Sequence, residues 1–135
     1  MENDIHGEYQ MVSRRLQQYT LLARAHAEPI EQDEARTLVE MLAEHYQLAY
    51  PVLVHFRHRS PGRISRTKDG KRLILLPSFP MPKVGGPFGK QVGYLRVGIV
   101  LHEFAHVLDL DTAKRHGTGF VHILDELLLL TEGLW

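Results

Sequence analysis

The chain's clearest chemical signal is five consecutive residues, His102-Glu103-Phe104-Ala105-His106. On a helix, positions four apart lie one turn apart on the same face, so His102 and His106 present two imidazoles to one ion. Glu103 is rotated by about 100° from His102 and stands beside that ion, where a carboxylate can hold a water. Such a set does the chemistry of a zinc hydrolase: the metal polarises a carbonyl and lowers the pKa of water, and the carboxylate takes the proton. The sequence has no cysteine, so any metal must be held by His, Asp or Glu.

The helix that carries these residues is predicted over about 91–110. Val97, Ile99, Val100, Leu101, Phe104, Ala105, Val107, Leu108 and Leu110 cover most of its circumference, the pattern of a buried helix. The polar exceptions, His102, His106 and Asp109, fall on one stripe within roughly 60°, with Glu103 alongside. Buried imidazoles and carboxylates are costly unless paired or bound to metal. A core histidine bonded to a backbone carbonyl would account for one of them, but poorly for two His and two acids together. Asp109 reads either as a partner that orients a ligand imidazole or as an exposed helix-end acid. Gly98, one turn before His102, either leaves room for metal or substrate or lets another helix pack closely.

A catalytic zinc needs a third protein ligand. His116 stands at a turn before the last helix, and Gly117 after it allows a sharp bend. Glu126, on the last helix, is the rival. Asp109 shares the helix of the first two ligands, and its short side chain is poorly placed to complete the set. His122 reads as surface, as do His55 and His58, which alternate across a strand.

The remaining elements must position this set. The chain has 135 residues, 44% hydrophobic and 24% charged, with zero formal net charge, which suits one soluble domain (1–135) with a real core. Residues 1–7 read as frayed, and no signal-peptide core or membrane-length apolar run follows, so a cytoplasmic protein is expected. Tyr9, Val12, Leu16 and Tyr19 mark a helix over about 8–26, and Pro29 closes it. A second helix over about 31–47 buries Ala35, Leu38, Val39, Leu42 and Tyr46, with Glu31, Asp33 and Glu34 crowding its first turn. Val52, Val54 and Phe56 alternate as a strand up to Pro61-Gly62. Residues 63–67 and 72–77 then read as a hairpin through Asp69-Gly70. The stretch from Pro77 to Lys90 is a Pro- and Gly-rich loop, either functional or a plain connector. After a turn at Asp111–Arg115, a final helix over about 118–130 buries Phe120, Ile123, Leu124, Leu127 and Leu128. The expected fold class is α+β, with a small, mostly antiparallel three-stranded sheet packed against helices.

Arg57, Arg59, Arg63, Arg66, Lys68, Lys71 and Arg72 crowd sixteen residues with only Asp69 opposing them. The cluster is either a solvated hairpin face or a phosphate-contacting surface on nucleic acid.

At His116-Gly117-Thr118-Gly119-Phe120 a second motif appears. The H-E-x-x-H followed by H-G-x-x-F resembles the SprT-like zinc metallopeptidases, in particular the small stand-alone bacterial members, over roughly residues 50–130. The resemblance implies a zincin-like fold in which His102, His106 and His116 bind Zn2+ and Glu103 is the general base. It also implies peptide or protein substrates, lying extended along an edge strand expected around Leu73–Leu76. Thr118 stands where the common pattern has Pro, and this cysteine-free chain lacks the zinc ribbon that DNA-repair members add. Glu126 follows His106 by twenty residues, a spacing similar to that of the glutamate-ligand zincins, but in a different local pattern. A second class of reading is zinc binding without turnover, as a sensor or partner-binding module; Glu103 argues against it, since a purely structural site does not need that residue.

Overall fold

The computed structural model describes residues 20–58, 60–67, 69–82, 93–109 and 117–135, leaving aside the side chains of Arg66 and Thr118. The expected frayed 1–7, the first part of the first helix, most of the Pro- and Gly-rich loop and the turn at 111–115 lie outside them.

The described part of the first helix, α1, covers 20–27 and buries Leu21 and Ala25, one turn apart. Helix α2, Gln32–His45, starts where the Glu31 N–H donates to the Glu34 carboxylate, with Asp33 and Glu34 in its first turn. Its buried stripe is Ala35, Leu38, Val39 and Leu42, as their spacing predicts. Strands β1 (Val52–Arg57), β2 (Arg63–Arg66) and β3 (Arg72–Pro77) follow, then α3 (Val97–Leu108) and α4 (Thr118–Thr131), closed by a 3-10 turn at Glu132–Leu134.

The class is α+β with a three-stranded sheet, but the sheet is mixed rather than mostly antiparallel. The strand order is β1-β3-β2: β2 pairs antiparallel with β3, and β1 pairs parallel with it from Val52↔Arg72 to Arg57↔Pro77. The local hairpin forms as expected. Gly70 takes φ +83°, its N–H donates to the Thr67 carbonyl, and Lys71 pairs with Asp69 at 3.3 Å. The chain then inserts β3 between β1 and β2, a non-local pairing that alternation along each strand does not encode. The strand around Leu73–Leu76, expected at an edge, is therefore central; among the described strands the edges are β1 and β2.

One sheet face carries Val54, Ile74 and Leu76, all buried, and faces the helices. Arg36 of α2 clamps that layer: Nη1 donates to the Val54 carbonyl at 2.8 Å and the guanidinium lies over Phe56. Helix α3 packs against β2, β3, α2 and α4. It is accordingly buried on nearly every side, with Val97 through Leu101, Phe104, Ala105 and Val107 closed to solvent.

Helix α3 starts later than predicted. Leu95 donates to Phe79 and accepts from Met81, and Arg96 bridges Pro29, so these two residues are held extended. The Leu95 backbone groups are used in this pairing, and the Val97 N–H donates to the Glu28 carbonyl.

Candidate metal centre

Helix α3 delivers the two histidines as their spacing predicts. His102 and His106 are half-buried, and their Nε2 atoms converge to 3.2 Å with the rings edge to face. Two nitrogens at 2.0–2.1 Å from a tetrahedral zinc stand about 3.3–3.4 Å apart, so the pair is close to the spacing of two zinc ligands. Without metal, the same spacing suits one N–H···N bond between the rings, its donor set by the tautomer.

Glu103, between them in sequence, turns away from that edge and is only 6% exposed. Burial pushes its carboxyl up to about 7, because the charged form loses hydration. Its near neighbour across the fold is the turn before β2. Gly62 has φ +91°, its N–H donates to the Oγ of buried Ser60 at 3.2 Å, and a Cβ placed on it would stand 2.9 Å from Glu103 Oε1 and 2.8 Å from Ile99 Cδ1. Pro61-Gly62 reads from sequence only as a strand breaker; its closeness to the carboxylate needs the fold. Ser60 is the other contributor that sequence reasoning passes over.

Helix α4 closes the opposite side. Phe120, 3% exposed, stacks on the His106 ring at 4.4 Å and 29° and meets the His102 ring edge to face at 5.1 Å. Asp109 caps the C-terminal end of α3 and is buried, not an exposed helix-end acid. Its Oδ1 lies 3.6 Å from where a Cβ on Gly119 would be, at the start of α4.

Gly98 is explained by close packing. A Cβ there would stand 2.4 Å from His26 Nδ1, so the His26 ring lies flush on α3. Arg96 Nε donates to that same Nδ1 at 3.1 Å. Burial first, and then the neighbouring Arg96 charge, lower the His26 pKa, which keeps the ring an acceptor.

Glu126, the rival ligand, is exposed and accepts a 2.7 Å bond from the Tyr46 hydroxyl. Tyr46 packs on Phe104, which at helical spacing lies far around α3 from the histidine stripe. The structure thus brings Glu126 to α2. Among the described residues no group of three or more His, Asp or Glu is arranged to hold a metal ion. Asp111 lies outside the described residues, as does His116, next in the chain to the segment that begins at Gly117. The spacing of the two imidazoles fits zinc.

The basic cluster offers fewer free groups than its sequence suggests. Arg72 is buried over the Tyr50 ring at 4.1 Å, and Lys71 is paired with Asp69. Arg57 and Arg63 are exposed. Arg59 and Lys68 lie outside the described residues. His55, His58 and His122 are exposed, as expected, with His58 against Phe79. Among the described residues, no helix is long and apolar enough to cross a membrane.

Compared with known proteins, the chain matches no family model, no curated protein and no solved structure.

Proposed function

We propose that this chain is a zinc-dependent peptidase of the SprT-like type. His102, His106 and His116 hold the metal, and Glu103 is the general base. The observation that carries the reading is the convergence of the two Nε2 atoms to 3.2 Å on a helix that also carries the buried Glu103 carboxyl. When bound there, zinc supplies Lewis-acid polarisation of a substrate carbonyl and of a water. Glu103 takes the proton from the attacking water and hands it to the leaving amine. Burial, which raises the Glu103 pKa in the metal-free chain, makes the carboxylate a stronger proton acceptor.

The substrate strand is assigned to β2. β3 is paired on both sides, whereas β2 pairs on one side among the described strands and begins next to Gly62. A peptide can add to that edge by backbone pairing.

The test is fragment mapping on an unstructured peptide library. The zinc-loaded chain should generate new N-termini, chelation should stop this, and added zinc should restore it. No cleavage above the chelated control would count against the reading.

A further inference from the structure

We infer that Phe120 is a positioning residue that sets the two ligand imidazoles in their converging geometry before metal arrives and ties metal binding to the docking of α4. The inference rests on the metal reading of His102 and His106.

The χ2 torsion of a histidine is soft, so a helix fixes the Cβ positions of an i, i+4 pair without fixing where its ring nitrogens point. Something must hold both rings. Phe120 touches both: face to face on His106 and edge to face on His102, while the two imidazoles meet each other at 79°. Three mutually packed rings leave little rotation to any one of them, and the result is the 3.2 Å approach of the two Nε2 atoms. Rings held this way lose less side-chain freedom when an ion binds, so affinity rises without a new ligand.

A merely apolar core residue would fill the same volume, as Leu124 does one turn further along α4. What separates the two roles is flatness and contact with the imidazoles. Phe120 also belongs to the helix whose cap, Gly117, directly follows His116. Loss of its ring therefore loosens the orientation of two ligands and the anchoring of the helix next to the third.

Zinc affinity is measured by chelator competition on the full chain for wild type, Phe120→Leu, Phe120→Tyr and Leu124→Ala. Phe120→Leu should bind zinc about 10- to 100-fold more weakly, the range for losing a group that orients a metal ligand. Phe120→Tyr keeps the ring and should stay within about threefold of wild type. Leu124→Ala should melt at a lower temperature yet also stay within about threefold, because it removes packing and no ligand contact. Equal affinity in wild type and Phe120→Leu would overturn the inference and leave the metal reading standing. If wild type takes up no zinc, both fall. If Phe120→Leu does not fold, the ring-proton resonances of the chelated wild type decide the matter. In the chelated protein, the stacked Phe120 ring should move the His106 ring-proton resonances upfield, and ring protons at their ordinary positions would overturn the inference.

Discussion

Gly62 lies against Glu103: any side chain at position 62 would begin 2.9 Å from Glu103 Oε1, inside van der Waals contact. The same residue holds φ +91°, a conformation L side chains rarely adopt. The turn into β2 thus packs against the buried carboxyl group.

Gly70 provides a built-in control for that relationship. It has φ +83° but nothing within 4 Å of its would-be Cβ, so Gly70→Ala meets backbone strain alone, of order 1 kcal/mol. Gly62→Ala meets that strain and displaces Glu103 and Ile99, so it should destabilise further, by about 1–3 kcal/mol, in denaturant unfolding. It should also lower turnover while zinc is retained. Equal effects of the two substitutions would mean the contact is slack.

Burial of Glu103 makes metal-free stability pH-dependent. Its pKa is raised from 4.5 to about 7 on folding, so the folded state holds the proton more tightly. The sign follows: the contribution is fully present below pH 4.5 and is lost as pH rises through about 7, by up to roughly 3 kcal/mol. The measurement is unfolding free energy of the chelated protein across this window, wild type minus Glu103→Gln. The difference should fall with rising pH; a flat difference would contradict the buried setting of Glu103.

The choice of third ligand separates His116 from Glu126. Glu126 is occupied with Tyr46 and exposed, so Glu126→Ala should cost about 1 kcal/mol of stability or less and leave zinc affinity nearly unchanged. His116→Ala should lower zinc affinity by orders of magnitude in chelator competition. The reverse order would move the third ligand to α4.

What was legible in the sequence is what depends on neighbours in the chain. The α2 and α4 faces, the three strands, the Asp69-Gly70 turn and the His102/His106 pairing follow from local period and turn chemistry, and the structure matches them. The parallel β1–β3 pairing was not legible, because alternation in β1 is the same whichever strand it joins. The start of α3 was misplaced because Leu95 spends its backbone groups on Phe79 and Met81 and the Val97 N–H donates to the Glu28 carbonyl, all far away in sequence. Around the site, the packing of Gly62 against Glu103 and of His26 on Gly98 joins distant segments. A Gly inside a buried helix and a Pro-Gly before an edge strand were the available signals, and neither names its partner. Phe120 was expected in the core, which it is; that its core neighbours are the His102 and His106 rings depends on how α4 docks.

The central claim is that Glu103 does chemistry at a metal held by its neighbours, and one comparison tests it most directly. Zinc-loaded wild type and Glu103→Gln are assayed side by side on a peptide that the wild type cleaves, with bound zinc measured in the same samples. The substitution keeps the shape and removes the base, so zinc content should be equal while turnover drops about 100- to 10,000-fold. Equal turnover at equal zinc would contradict the account.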